Sequence, residues 1–221
     1  MAEDDNFGGA WLVTEYVYDP DGSFVGIVEQ RRLVESLADG RLRVTQVCSP
    51  GPELEDHAMG AFAGEWVFDL EVHGADRHYL GPDVVGMGTE WAPGAMTGQG
   101  LWPRFGHSFE SYAVLVAPDR QLTGGFFSIA GRSVADIVGV AVPESAGVVP
   151  EFDLAVSPPE VEETWTLQRT VGPMRIAEAR PDATTRRRLW TMADSVSESK
   201  IEMLESTTAG TRSVSSSVLP A

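Results

Sequence analysis

Short runs of alternating apolar residues, separated by turn residues at intervals of about eight to twelve positions, constrain this chain more than any other feature. Trp11 to Tyr18 is the first run. Asp19-Pro20-Asp21-Gly22 ends it with a proline that presets one dihedral and a glycine that accepts positive φ. Phe24 to Val34 resumes the pattern, and Ala38-Asp39-Gly40 turns it into Leu42, Val44 and Val47, which alternate with polar residues. Trp66, Phe68, Leu70 and Val72 fall on one face of the next run, and Arg77 to Leu80 pairs back after His73-Gly74-Ala75-Asp76. Val84–Trp91, Ala95–Trp102, Ser108–Ala117, Gln121–Ile129 and Val134–Val142 complete the dense middle, with no helical period between them.

That pattern favours strands that wrap into a closed architecture over an open sheet backed by helices. About ten or eleven strands in one sheet curl or split, and closure removes exposed edges, so the expectation is an antiparallel barrel or sandwich. Ser49 to Ala63, with Pro50 and Pro52, is looser and could hold a short helix across one end of the sheet. Ser145 to Pro159 reads as a long connection, and Glu163 to Val171 as one more strand. From Pro181 the character changes. Asp182 can cap a helix, Leu189, Met192, Val196, Met203 and Leu204 fall loosely at helical spacing, and Thr207 to Ala221 is a Ser/Thr-rich tail expected to fray. The expected organisation is an N-terminal segment over 1–10, a β domain over 11–180 and a C-terminal helix with a flexible tail over 181–221.

The charge balance narrows the partners. With 33 acidic residues against 16 basic ones the formal charge is −17, a field that repels nucleic acid and anionic membrane surfaces. Met1 to Phe7 lacks a basic region followed by an apolar run, and no stretch approaches the roughly 18 apolar residues of a spanning helix, so a cytoplasmic location is expected. Cys48 is the single cysteine, read as a buried free thiol.

Motifs that fix a reaction are missing. Gly86-Met87-Gly88 and Gly98-Gln99-Gly100 lie inside strand runs with no following helix, so they are sheet features, marking sharp bends or room for a ligand, and no nucleotide fingerprint. His57, His73, His78 and His107 show no paired metal-ligand spacing, and no metal or other cofactor is expected. Aromatic residues crowd the middle, and polar groups sit among them. An apolar cavity with a few convergent polar groups is the functional reading, and a filled core capped by arginines is the structural one. On the first, His107, Glu110, Tyr112 and Arg104 are the candidate catalytic residues: His107 or Glu110 as base, Tyr112 or Arg104 as acid or oxyanion partner. Alternation from Ser108 puts Glu110 and Tyr112 on one face and His107 and Phe109 on the other. Trp91, Trp102, Phe109, Phe126, Trp66 and His78 are the candidate substrate-binding residues.

Gly9-Ala10-Trp11 on the first strand, followed by a long meander and a late helix, resembles the lipocalin-like (calycin-type) barrels, in which a Gly-x-Trp motif plugs the closed end. The resemblance implies an antiparallel up-and-down barrel and a cavity for a hydrophobic or aromatic small molecule. By fold analogy it admits a cofactor-independent acid–base enzyme of isomerase, cyclase, hydratase or lyase type. A non-catalytic carrier for a hydrophobic small molecule and a structural subunit of a complex are the alternatives, and assembly as a homo-oligomer stays open.

Overall fold

The computed structural model describes residues 6–150 and, beyond them, 167–171, 174–179, 185–193, 197–206 and 211–220. The chain divides into two compact units, Met1–Pro150 and Glu151–Ala221.

The first unit is a closed, ten-stranded, up-and-down antiparallel barrel. Its strands are β1 (Gly9–Tyr18), β2 (Phe24–Ser36), β3 (Leu42–Pro50), β4 (Gly64–His73), β5 (Asp76–Leu80), β6 (Val85–Ala92), β7 (Ala95–Trp102), β8 (His107–Ala117), β9 (Arg120–Ile129) and β10 (Arg132–Pro143). Each pairs with the next, and β1 pairs with β10 from Trp11 opposite Pro143 to Tyr18 opposite Asp136. Closure leaves no edge strand, which is how a meander this long satisfies every backbone ladder. The expected turns form: Gly22 at φ +88 lets its N–H reach Asp19 O at 2.8 Å, and Asp21 Oδ1 accepts from Ser23 N–H at 2.9 Å.

Strand alternation then fixes which side chains face inward. On β1 these are Trp11, Val13, Glu15 and Val17; on β2, Val28, Gln30, Arg32 and Val34; on β3, Leu42, Val44, Gln46 and Cys48. One end of the interior is packed with rings. Between β3 and β4 the 3-10 turns Pro52–Leu54 and Ala58–Phe62 bury Leu54, Met59 and Phe62 against Val17, Val28, Trp66 and Trp102. Phe62 meets Trp102 edge-on with centroids 5.4 Å apart and lies 4.9 Å from Phe105. The segment expected to cross one end of the sheet is this double turn. Nearer the start of β1, Trp11 packs on Val13, Ala141 and Leu115 and donates its indole N–H to Gly8 O at 3.0 Å. The Gly-x-Trp tryptophan therefore fills barrel interior.

The second unit is a five-stranded antiparallel meander: β11 (Leu167–Val171), β12 (Met174–Ala179), β13 (Thr185–Ala193), β14 (Ser197–Ser206) and β15 (Thr211–Pro220). Three expectations change here. The C-terminal helix expected within 181–221 is replaced in the described residues by β13 and β14, where Leu189 pairs with Glu202 and Trp190 with Ile201. The physical reason is period: Leu189 and Thr191 are both buried, two residues apart, which suits a strand and not a helix. Thr211–Pro220, expected to fray, is β15 and pairs along its length with β14. Of the strand expected at Glu163–Val171, Leu167–Val171 forms β11 and belongs to this second sheet, outside the barrel. The cap residue Asp182 lies outside the described residues.

Candidate functional site

The wall formed by β5, β6 and β7 shows what the strand glycines are for. Tyr79 points inward from β5 across the glycines of its neighbours. A Cβ on Gly88 would sit 2.7 Å from the Tyr79 hydroxyl, and one on Gly98 would sit 2.6 Å from it. Phe109 of β8 likewise lies over Gly100, where a Cβ would be 2.8 Å from its ring. Gly86-Met87-Gly88 and Gly98-Gln99-Gly100 thus make room for two large rings of the chain itself, and those rings form the floor of what remains.

What remains is a cavity of about 220 Å³. Its wall is mostly apolar, with Val28, Val44, Leu70, Ile137, Trp66 and Phe127 contributing. Set into that wall is a polar group drawn from adjacent strands. Gln46 donates to Gln30 Oε1 at 3.0 Å, and Gln30 in turn donates to Glu15 Oε2 at 2.6 Å, one residue each from β3, β2 and β1. Arg32 donates from Nη2 to Gln121 Oε1 at 2.7 Å, reaching from β2 to β9. Gly139 of β10 lies between Glu15 and Thr123 in register, and a Cβ there would be 2.7 Å from Thr123 Oγ1 and 3.0 Å from Glu15 Cγ. Its missing side chain is what lets the carboxylate and the hydroxyl approach.

Burial governs the electrostatics. Desolvation pushes the Glu15 carboxyl up from the ordinary 4.5 to about 6, against the Gln30 hydrogen bond and the Arg32 charge, which both pull it down. Desolvation also lowers Arg32, with Glu15 and Tyr79 opposing it. The Tyr79 phenol is pushed up to about 12 by burial, less the pull of Arg77 and Arg32. Cys48, beside this group, is pushed up to about 12 by burial and by the Glu15 charge. Gln121 Nε2 and Thr123 Oγ1 are buried with no hydrogen-bond partner among the described residues. An orphaned buried donor is costly, and of the two residues Thr123 lines the cavity.

At the Trp11 end the chain's own N-terminal residues complete the cavity wall. Phe7 is buried and lines the cavity, and Asn6 donates to Glu90 Oε1 at 2.6 Å. The other Glu90 oxygen takes the Arg77 guanidinium at 2.7 Å, and Gly94 N–H bonds Oε1 at 2.9 Å. Burial alone would raise Glu90, yet these bonds win and hold it low.

The expected catalytic residues do not converge. His107 is buried in the ring cluster, 5.3 Å from Phe62 by centroids, with Nδ1–H donating to the Phe105 carbonyl at 3.0 Å. Burial lowers its pKa, against the raising effect of that carbonyl, and its Nε2 is buried with no hydrogen-bond partner among the described residues. Glu110 and Tyr112 alternate to the opposite face of β8. Glu110 lies on the outer wall in a groove with Met87, Gln99 and Phe126. Tyr112 is buried over Gly124, where a Cβ would be 2.7 Å from its hydroxyl, and it is among the residues lining the cavity. Arg104, in the β7–β8 turn, is exposed and stacks 5.5 Å from the Trp66 ring centroid. Of the expected substrate-binding set, Trp66, Trp102 and Phe109 line the cavity. Phe126 faces outward. His78 is exposed, with its ring 5.0 Å from that of His73. The Trp91 side chain lies outside the described residues.

Glu15, Gln30, Arg32, Gln46, Gln121 and Thr123 carry the polar group, and none was singled out from the sequence. A signal was present: each breaks an apolar alternation at an inward position, on three consecutive strands in the case of Glu15, Gln30 and Gln46. Among the described residues no three His, Cys, Asp or Glu side chains gather into a group that could hold a metal ion.

No family model matches the chain, and no curated protein matches it. Among solved structures, the S-type phycobiliprotein lyase CPES from Guillardia theta is similar, at 12% identity and a TM-score of 0.47, covering 62% of this chain and 88% of that one.

Proposed function

We propose that the barrel binds one small hydrophobic or aromatic molecule in its interior, with the apolar body against Val28, Val44 and Trp66 and a polar group against Arg32 and Thr123. One observation carries this reading: a cavity of about 220 Å³ with a mostly apolar wall is also lined by Arg32, Glu15 and Thr123, and the Thr123 hydroxyl is buried with no hydrogen-bond partner among the described residues. Titration with a naphthalene probe, followed by the fluorescence of the cavity tryptophans Trp66 and Trp102, tests it. Saturable one-to-one quenching is expected; no binding to the native barrel would overturn it.

Acid–base turnover is the second reading, and the raised pKa of Glu15 is what favours it. A carboxyl that titrates near neutrality inside a water-poor cavity can serve as base and return the proton as acid. The role expected of His107 and Glu110 moves to Glu15, with Tyr79 as a neutral donor. For any compound the protein converts, Glu15→Gln is then expected to lower kcat by about a hundredfold or more and to remove the pH–rate limb near 6. A rate unchanged in that variant would remove Glu15 from the chemistry.

A further inference from the structure

The groups around the cavity's polar corner are unequal in kind. Arg32 brings guanidinium N–H donors of which one is committed to Gln121, and Thr123 lines the cavity with a hydroxyl that has no partner among the described residues. These donors call for an acceptor-rich partner. The one anionic group among them is Glu15, whose Oε2 is already bonded by Gln30. At present Arg32 and Glu15 cancel each other's charge inside the barrel. An anion placed against Arg32 leaves two negative charges sharing one guanidinium away from water, a state that burial disfavours strongly. The chain has one way to relieve it, since Glu15 can take up a proton.

We infer that the ligand is a small apolar acid bound as its anion against Arg32 and Thr123, and that its capture draws one proton onto Glu15. The inference rests on the binding function proposed above and names the ligand class and its control. Every element packed around Glu15 agrees with the assignment. From β2 it faces Arg32 and the uncharged Gln30; from β3, the Cys48 thiol; from β9, Thr123; from β10, Gly139. Tyr79 on β5 faces Arg32 and stays protonated, its phenol held at about 12. Arg77 is engaged by Glu90 at the other end. Glu15 is therefore the one group in this corner poised to change charge near neutral pH.

The coupling also sets a direction. Glu15 ionises near 6 in the empty barrel and at a higher pH with an anion beside it. Between those two values each unit of pH costs about tenfold in affinity for the anion, because a proton must be supplied for binding. A neutral ligand of the same shape pays no such penalty and shows no such slope.

Isothermal titration of the full chain with 2-naphthoate and with its neutral counterpart 2-acetylnaphthalene, in buffers of different ionisation enthalpy, tests both halves. The expected result is a preference for the naphthoate of at least about tenfold at pH 6.5. Uptake of close to one proton is expected with naphthoate at pH 7.5, and none with the ketone. Glu15→Gln should bind naphthoate more tightly than the parent at pH 8 and lose the pH slope, and Arg32→Gln should shrink the preference for acid over ketone. Equal affinity for the two probes, or naphthoate binding without proton uptake, overturns the inference while leaving the cavity in place. Failure of both probes to bind overturns the inference together with the proposed function.

Discussion

Replacing Glu15 with Gln should make the stability difference between variant and parent depend on pH in a way that isolates one group. Glu15 titrates at about 6 in the folded barrel and near 4.5 when exposed. Between those values the folded protein holds the proton and the unfolded chain does not. Stability therefore falls as pH rises through this window, by about 1.4 kcal/mol per unit and by roughly 2 kcal/mol in all. Glutamine is neutral throughout and loses nothing. Urea unfolding of both proteins at pH 4, 5, 6 and 7.5 gives the difference at each pH, and every other titrating group cancels. The variant should gain on the parent by roughly 2 kcal/mol between pH 4 and pH 7.5, with the change centred between 4.5 and 6. A flat difference, or a parent that gains as pH rises, would refute the claim that desolvation outweighs Arg32 and Gln30 at this carboxyl.

Thr123→Val deletes a buried hydroxyl without a partner at nearly constant volume, so the unfolding free energy in urea should rise by about 1 kcal/mol; a loss would mean that the hydroxyl is bonded. Phe7→Ala removes a ring that lines the cavity beside Asn6 and Glu90, and stopped-flow mixing should show probe dissociation accelerated by about tenfold, where an unchanged rate would show that ligands pass elsewhere. The Cys48 thiol, buried and held at about 12, should react with iodoacetamide at pH 8 at least about a hundredfold more slowly than in the urea-unfolded chain; comparable rates would place it in open solvent.

The barrel was legible because its signals are local. A period of two between turn residues survives any tertiary context, and ten such runs leave closure as the economical solution. The second sheet was hidden by sparse punctuation: Leu189, Met192 and Met203 fit a loose helix, and the pairing of Ala177 with Leu189 that buries both is a contact between separate runs. The site was hidden for a related reason. His107 and Glu110 attracted notice as chemically versatile neighbours in sequence, whereas strand alternation puts them on opposite faces of the wall. Glu15, Arg32 and Gln121 lie far apart in the chain and meet only because β2, β1, β10 and β9 are consecutive staves. Inward parity was the usable clue, since a charged residue in the apolar half of an alternation has to be answered from a neighbouring strand.

The direct test of the hollow interior is a nuclear Overhauser experiment on methyl-labelled protein saturated with unlabelled 2-naphthoate. Contacts should appear at the inward methyls of Val28, Val44, Leu70 and Ile137, and be absent from the exposed outward methyls of Val67, Val85 and Leu101. Contacts confined to the outward set, or none at either, would contradict a ligand-holding barrel.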